Sequence, residues 1–211
     1  RGVNNCMPYG ENDNYVSVFP PAWIGEGFFG TSAHLIVGHV IDFSEEPETL
    51  QGDLREISPE IYIAGPRQWE DYCSIINVKI SDAGFLKKFT HRLFLPIGYK
   101  LADLEIERKQ PNLFWRALYA IARWILFRPL RDKLGLDRLK IAVTGSAMLS
   151  PDVIRMLSAM GIKLRQLYGT TESGGHTSCH TDEIIPETIG VPARESEIRV
   201  SDEGEFLIRS K

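Results

Sequence analysis

The feature that most constrains the fold is a repeated unit in which a β-rich apolar run ends in a turn and a helix follows. Residues 60–64 form one such run, and Gly65-Pro66 ends it. Residues 139–143 form another, ended by residues 144–146. Ser150-Pro151-Asp152 then makes a typical helix start, with a cap, a first-turn proline and an acid at the positive helix end. This alternation predicts an α/β fold with a mostly parallel sheet and flanking helices.

Further segments extend the pattern toward the N-terminus and through the middle of the chain. Residues 15–19 form a β-rich run that Pro20-Pro21 ends, and a helical stretch follows. Ser44 is the expected cap of a helix whose apolar residues recur at helical spacing as far as Ile57. The segment from about residue 85 to residue 128 is predicted to be mainly helical.

Near the C-terminal end the pattern changes from strand–helix units to short strands. Strands are predicted at residues 197–200 and 205–208, joined by Asp202-Glu203-Gly204 in a hairpin-like turn. We therefore expect an α/β core over residues 1–187 and the start of a following β subdomain, with a short antiparallel region, over residues 188–211.

Charge and cysteine content narrow the classes of protein. The formal net charge is -4, which provides no basic field for nucleic acid. Cys6, Cys73 and Cys179 are widely spaced without a CxxC pair, which favours a reduced, cytoplasmic protein over a disulfide scaffold. No apolar run approaches the length of a membrane-spanning helix. The chain opens on Arg1-Gly2 and stops directly after a predicted strand, so we expect a fragment of a longer protein.

The strongest chemical signal is the loop that follows the β-rich run at residues 163–167. Residues 168–175, Tyr-Gly-Thr-Thr-Glu-Ser-Gly-Gly, offer an aromatic ring, hydroxyls, one carboxylate and several glycines. A tyrosine can stack on a purine, threonine hydroxyls can bond phosphate oxygens, and a carboxylate can hold Mg²⁺ against them. Open α/β sheets bind ligands at the carboxyl ends of their strands. From chemistry alone the loop is either a nucleotide site or a polar surface turn.

A second loop of small residues, Thr144-Gly145-Ser146-Ala147, also follows a strand directly. Small side chains there would let a flat ring or an acyl chain pass close to the backbone. A turn between strand and helix without any ligand is the alternative interpretation.

In this order and spacing, residues 139–175 resemble the adenylate-forming superfamily, whose members activate carboxylic acids with ATP. The upstream stretches look like those typical of long-chain fatty acyl-CoA synthetases, and the resemblance covers about residues 15–210 in all. Further stretches that carry it are residues 53–57 with Pro59, residues 65–70 (Gly-Pro-Arg-Gln-Trp-Glu), 128–135, 189–192 and 202–206.

The resemblance implies a nucleotide pocket made by the two loops. Tyr168 would stack on adenine, with Gly169 next to it at the start of the loop. Gly145, Ser146 and Ala147 would line the adenine and acyl side of the same pocket.

The resemblance also implies the catalytic and substrate-binding residues. Thr171, helped by Thr170, would bind the α-phosphate, and Glu172 would coordinate Mg²⁺, so Thr171 and Glu172 are the catalytic candidates. Trp23 and Gly174 are expected at the acyl substrate. Many relatives carry histidine at the position of Trp23, and an indole cannot titrate. Trp23 is therefore either a wall of the acyl pocket or a core tryptophan at a helix start.

The implied reaction has two steps. A fatty acid carboxylate attacks the α-phosphorus of ATP to give acyl-adenylate and pyrophosphate, and the thiol of coenzyme A then attacks the acyl carbon. The expected ligands are fatty acid, ATP or AMP, Mg²⁺ and coenzyme A. The family's phosphate loop ending in Pro-Lys, its Thr-Gly-Asp motif and its C-terminal lysine do not occur in this sequence. We therefore expect the chain alone to be inactive and to bind ATP weakly.

Two alternatives to a fatty acid ligase stay open. The first is another adenylate-forming ligase, acting on aryl or short-chain acids. The second is a non-catalytic, adenylation-like module kept for binding.

A compact group of metal-binding residue types follows the loop. His176, Cys179, His180 and Asp182 could bind zinc, but no partner cluster occurs elsewhere. Loop residues beside the acyl tunnel are the favoured interpretation.

The helix predicted over residues 111–128 combines tryptophans and arginines with apolar residues. Such a helix could lie on a membrane surface, which leaves a peripheral membrane contact open. Internal packing with snorkelling arginines is the favoured interpretation.

Overall fold

The computed structural model describes residues 10–181, 183–193 and 196–210. Their strands are β1 (Asn14–Ser17), β2 (Val40–Phe43), β3 (Ile61–Ala64), β4 (Ile141–Thr144), β5 (Leu164–Tyr168), β6 (Ser178–Cys179), β7 (Val191–Pro192), β8 (Ser196–Val200) and β9 (Phe206–Ser210). Their helices are α1 (Ile24–Glu26), α2 (Ala33–Val37), α3 (Leu50–Ile57), α4 (Pro66–Ser81), α5 (Phe85–Ile106), α6 (Leu113–Ala122), α7 (Arg128–Lys133) and α8 (Pro151–Ala159). Two π-helical segments, π1 (Gly27–Ser32) and π2 (Arg123–Phe127), join α1 to α2 and α6 to α7.

The main sheet of the described residues has the strand order β2-β1-β3-β4-β5-β6-β7. Strands β1 to β5 run parallel, whereas β6 and β7 are added antiparallel at one edge. Strands β8 and β9 form a separate antiparallel pair. The predicted α/β fold, with a mostly parallel sheet and a short antiparallel region near the C-terminus, is confirmed. The division of the chain at residue 187 stays a prediction.

The two central strands are buried on both faces. Every residue of β3 and β4 is buried because helices cover the sheet on each side. Side chains alternate along these strands, so Tyr62 and Ala142 join the core formed with α4 and α8. Ile63 and Val143 point to the other face, where Phe29 of π1 covers them. That second face leads to the candidate site.

The helix predicted to begin at Ser44 begins later. Helix α3 starts at Leu50, and Thr49 holds the N-cap position. The Thr49 hydroxyl lies 3.1 Å from the Glu46 amide and donates to the Asp53 carboxylate at 2.7 Å. Ser44 instead donates to the carbonyl of Glu46 at 3.2 Å, in the turn before the helix. The prediction was wrong because the first polar residue of the segment closes a turn rather than the helix end.

The mainly helical middle is confirmed as a helical hairpin. Helix α5 and the continuous run α6–π2–α7 pack against each other, with a short break between Ile106 and Leu113. Asn112 caps α6, because its side chain accepts a hydrogen bond from the Trp115 amide at 3.0 Å. None of the described helices has the length and apolar character needed to cross a membrane.

A buried arginine fixes the segment that leads from this hairpin to β4. Arg131 is only 8% exposed, and its guanidinium donates to main-chain carbonyls on three sides. It reaches Leu136 and Asp137 at 3.0 Å each, Leu139 at 3.3 Å and Gly161 at 3.4 Å. The planar, five-donor fork of arginine suits this arrangement, and lysine could not reproduce it.

Candidate functional site

A cavity of about 200 Å³ opens at the carboxyl edge of the parallel strands. Three loops meet there, one after each of β1, β4 and β5. Six residues predicted from sequence line it: Trp23, Gly145, Ser146, Gly169, Thr170 and Thr171. The remaining wall is mostly apolar and consists of Phe19, Ile24, Gly25, Phe29, Ile63, Val143, Leu167 and Gly175. The structure thus brings together predicted residues that are up to 148 positions apart in the sequence, from Trp23 to Thr171.

The loop after β4 needs small residues. A Cβ atom on Gly145 would lie 3.2 Å from the carbonyl oxygen of Leu167 in the neighbouring strand. Ser146 adopts a left-handed conformation with φ of 74°, which is uncommon for a residue other than glycine. Such conformations cost of order 1 kcal/mol or more and concentrate at functional sites. Ala147 is exposed and lies beside the cavity rather than in its lining.

The loop after β5 folds back on itself. A Cβ atom on Gly169 would overlap the carbonyl of Gly175, so this closure requires glycine. The Gly175 amide donates to the Thr170 carbonyl at 2.8 Å, and the Thr170 amide donates to the Ser173 hydroxyl at 3.1 Å. Ser173 in turn shares a 2.7 Å hydrogen bond with the Thr177 hydroxyl. The turn is therefore held by its own hydrogen bonds.

These bonds separate the roles of the two threonines. The Thr170 hydroxyl lies 3.2 Å from the Ser173 hydroxyl and takes part in the turn. Thr171 and Glu172 are exposed, and within the described part of the chain neither side chain makes a hydrogen bond or ion pair. The Thr171 hydroxyl and the Glu172 carboxylate are therefore free to bind a ligand. A hydroxyl suits phosphate and a carboxylate suits Mg²⁺, the ligands expected at these positions. Gly174, with φ of 78°, is exposed and lies outside the cavity lining.

Tyr168 ends β5 and is half-buried. Its ring lies 5.6 Å from the ring of Phe206 on β9, at an angle of 57°. Tyr168 is not among the residues that line the cavity. Sequence reasoning did not anticipate this aromatic pair, because the β8–β9 hairpin reaches Tyr168 only through the tertiary fold.

Trp23 stands at the entrance to α1, in the cavity wall. Its ring packs against Phe19 with centroids 4.2 Å apart, and it lies so close over Gly25 that a Cβ atom there would overlap it. The side chain is half-buried rather than enclosed in the core. This placement supports the pocket-wall interpretation over the core one.

A buried tyrosine–glutamate pair stands behind the cavity and was missed from sequence. The Tyr15 hydroxyl donates to the Glu26 carboxylate at 2.8 Å, and Glu26 is only 6% exposed. A Cβ atom on Gly30 would overlap the same carboxylate. The pair ties α1 and π1 to β1, and so holds Phe29 in the cavity wall. No sequence motif signals it.

The two histidines that follow the loop are buried. His180 accepts a hydrogen bond from the Gln166 amide at 3.2 Å, and its other ring nitrogen lies 3.1 Å from the Thr188 hydroxyl. His176 is buried, with its ring 6.0 Å from that of Phe28. Burial lowers the pKa of both imidazoles.

The zinc alternative gains no support from the described residues. Among them, no group of three or more His, Cys, Asp or Glu side chains is placed to hold a metal ion. Asp182, the fourth residue of the sequence pattern, lies outside the described residues.

Comparisons with known proteins agree with this geometry. The chain is 28% identical over 176 residues to the long-chain-fatty-acid–CoA ligase ACSBG2 of Rattus norvegicus, a match covering 81% of this chain and 26% of the relative. It is 25% identical to the long-chain-fatty-acid–CoA ligase FadD15 of Mycobacterium bovis, over 80% of this chain and 28% of that protein. The chain thus spans about a quarter of the length of these relatives.

Solved structures share the fold. The long-chain-fatty-acid-CoA ligase FadD1 of Archaeoglobus fulgidus superposes with a TM-score of 0.59 at 14% identity, covering 99% of this chain and 36% of that one. The anthranilate CoA ligase AuaEII superposes with a TM-score of 0.56 at 20% identity, covering 100% and 33%. A family model described as AMP-binding enzyme matches residues 1–209. This match extends over nearly the whole chain, and the protein therefore belongs to the family of AMP-binding enzymes.

Proposed function

We propose that this chain forms the adenine and acyl side of the site in an enzyme that activates a long-chain fatty acid with ATP and then transfers it to coenzyme A. One observation carries the proposal. A single cavity at the carboxyl edge of the sheet is bounded by the Gly145–Ser146 turn and the Gly169–Thr171 turn on one side, and by an apolar wall with Trp23 on the other.

Most of the proposed nucleotide-binding residues line this cavity, whereas Ala147, Tyr168 and Glu172 lie outside its lining. Thr171 donates its hydroxyl to the α-phosphate, and Glu172 holds Mg²⁺, which neutralises phosphate charge when bound. Gly145, Ser146 and Ala147 leave room for the flat adenine ring, and Tyr168 offers its ring from the end of β5.

The proposed acyl side is the apolar wall. Its apolar side chains suit an alkyl chain or the first part of one; they belong to Phe19, Trp23, Phe29 and Ile63. Glycine at position 25 leaves the space in which the Trp23 ring lies. The curated relatives named above act on long-chain fatty acids by their descriptions, and this supports the choice of substrate class.

The test uses ATP–pyrophosphate exchange, measured on a protein that carries this chain together with the remaining segments of its relatives. Palmitate and oleate are expected to stimulate exchange, whereas acetate, benzoate and anthranilate are not. Stimulation by the aromatic acids alone would replace the fatty acid with an aryl substrate. Absence of exchange with every acid would favour a non-catalytic module.

Two variants test the assignment of residues. Glu172→Gln and Thr171→Ala are each expected to lower exchange by about 10²-fold or more, since each removes a group that interacts with developing phosphate charge. Glu203→Gln, at an exposed glutamate in the β8–β9 turn, is the control and is expected to leave exchange unchanged. The 211-residue chain by itself is expected to give no robust exchange.

A further inference from the structure

Charge is strongly segregated along the helical hairpin formed by α5 and α6–π2–α7. Residues 85–133 contain eleven of the chain's 24 Lys and Arg residues and four of its 28 Asp and Glu residues, which gives this segment a formal charge of +7. The formal charge of the whole chain is -4, so a basic segment stands out against an acidic background. This pattern was not visible in the total charge.

The same hairpin exposes large apolar side chains along both of its helical runs. On α5, Phe85 is 85% exposed, and further exposed side chains follow it at helical spacing: Leu86, Phe89 and Leu93. On α6 and π2, Trp124 is 74% exposed and belongs to a stripe with Leu113, Phe114, Ile121 and Ile125. A helix that packs on a core normally turns polar residues to solvent. Contiguous apolar exposure instead marks an interaction surface.

The two exposed stripes lie side by side where α5 begins. A groove of about 500 Å³ there is lined by Leu86 from α5 and by Ile125 from π2. Further along, Gly98 meets Phe127 so closely that an added Cβ atom would lie 2.6 Å from its ring. Three lysines line the groove, together with one acid, Asp82: Lys79, Lys87 and Lys133. The groove therefore joins the two stripes at Leu86 and Ile125, and the stripes together are here called the hairpin face.

Several cations of the hairpin face lack an acidic partner. Arg108 pairs with Glu183, and Arg128 lies 3.7 Å from Asp137. Five other cations are exposed and form no ion pair with an acid within residues 10–181, 183–193 and 196–210: Lys87, Lys88, Arg92, Arg116 and Arg123. Their charge is left for an anionic partner to neutralise.

We propose that the hairpin face docks on an anionic lipid bilayer. Its apolar side chains would enter the boundary of the acyl chains, while the unpaired cations meet lipid phosphates. A second copy of the chain is a poor occupant, because a two-fold contact through this face would bring basic residues against basic residues. The proposal rests on exposure and charge and does not depend on the proposed enzymatic function.

The test is sedimentation of a protein that carries this chain together with the remaining segments of its relatives, with vesicles of phosphatidylcholine, with and without phosphatidylserine. Absence of binding by this protein, when the 211-residue chain alone binds, would show that those segments cover the hairpin face and would overturn the proposal. Binding is expected only with phosphatidylserine and is expected to weaken as salt is added. The triple variant Lys87→Glu/Lys88→Glu/Arg92→Glu is expected to lower binding at least about tenfold, since each basic residue near an anionic surface contributes of order 1 kcal/mol. Trp124→Glu is expected to lower binding at least about tenfold, because it places a charge where an apolar ring would enter the bilayer.

Matched controls distinguish binding through the hairpin face from effects of overall charge or of any exposed apolar residue. Leu35→Glu replaces an apolar residue that is 79% exposed on α2, away from the hairpin. Arg55→Glu/Arg67→Glu/Arg199→Glu reverses three exposed arginines elsewhere. Each control is expected to lower binding by less than about fivefold. Circular dichroism confirms that each variant is folded before it is compared.

Tryptophan fluorescence gives a second readout. Vesicles containing phosphatidylserine are expected to shift the emission of the chain to the blue, and Trp124→Phe is expected to keep binding while losing most of that shift. Equal losses in the two triple variants, or no binding to anionic vesicles, would overturn the proposal. So would a dimer, seen by light scattering, that Trp124→Glu dissociates while vesicle binding stays unchanged.

Discussion

Arg131 provides the sharpest test of how the helical hairpin supports the site. Its guanidinium is buried and joins α7 to the segment before β4 and to Gly161 after α8. Strand β4, which follows this segment, ends at the Gly145–Ser146 turn of the cavity. The perturbation is Arg131→Met, which keeps much of the length and apolar stem but removes every donor.

The expected loss follows from the four carbonyls that Arg131 serves. Hydrogen bonds from a charged donor contribute about 1.5–3 kcal/mol each, but water can replace the partner at the half-buried Asp137 and Leu139. The buried carbonyl of Leu136 keeps only a long hydrogen bond, 3.4 Å from the Leu139 amide. Water also reaches the exposed Gly161, so the loss comes mainly from the bond to Leu136 and is expected to be about 2–3 kcal/mol, which is a large part of the stability of a domain. Arg131→Lys should lose at least about half of this, because one ammonium group cannot span all four acceptors.

Urea unfolding followed by circular dichroism measures the effect. With a slope of about 2 kcal/mol per molar urea, the midpoint of Arg131→Met is expected to fall by about 1–1.5 M. The control is Arg128→Met, one turn earlier, where the side chain is 61% exposed and pairs loosely with Asp137. It should change the free energy of unfolding by less than about 1 kcal/mol. If Arg131→Met unfolds within 1 kcal/mol of the unmodified chain, the assigned role of Arg131 is wrong.

Three further predictions concern the site and its surroundings. Gly169→Ala should lower the free energy of unfolding, measured with urea, by about 1–3 kcal/mol, because its Cβ atom would overlap the Gly175 carbonyl. The control is Gly52→Ala on α3, where a Cβ atom meets nothing, and it should raise the free energy of unfolding slightly. Ser146→Val should destabilise by about 1–2 kcal/mol more than Ser146→Gly, since a branched side chain opposes the left-handed conformation; equal thermal midpoints would refute this. Burial lowers the pKa of His176 below its ordinary 6.5, so stability that is present above that pH is lost as pH falls through it. His176→Phe should remove this pH dependence of the free energy of unfolding, whose slope from one histidine is at most about 1.4 kcal/mol per pH unit.

Local patterns were sufficient for the parallel core. Residues 60–64 and 139–143 were recognisable because a strand buried on both faces is a continuous apolar run, and the turns that follow it hold glycine and proline. The rule that parallel strands share one carboxyl edge then predicts that the loops after β4 and β5 meet. The cavity joins them, and the resemblance to adenylate-forming enzymes is confirmed at the level of the family.

Features that depend on contacts distant in sequence could not be predicted. The Tyr15–Glu26 hydrogen bond joins a strand to a helix, and neither residue belongs to a motif that announces it. The ring of Phe206 reaches Tyr168 because the β8–β9 hairpin lies near β5, which no local pattern specifies. Ser44 failed as a cap because several polar residues compete for the same turn, and only packing decides among them.

The closed turn after β5 also bears on the thermodynamics of ligand binding. A flexible loop loses roughly 1–2 kcal/mol of backbone conformational entropy for each residue that a ligand orders. Here the hydrogen bonds among Thr170, Ser173 and Gly175 already hold the turn without any ligand. Thr171 and Glu172 are therefore presented on a backbone whose ordering was completed during folding. If the proposed nucleotide binds at this turn, its binding free energy therefore loses little to ordering of the backbone.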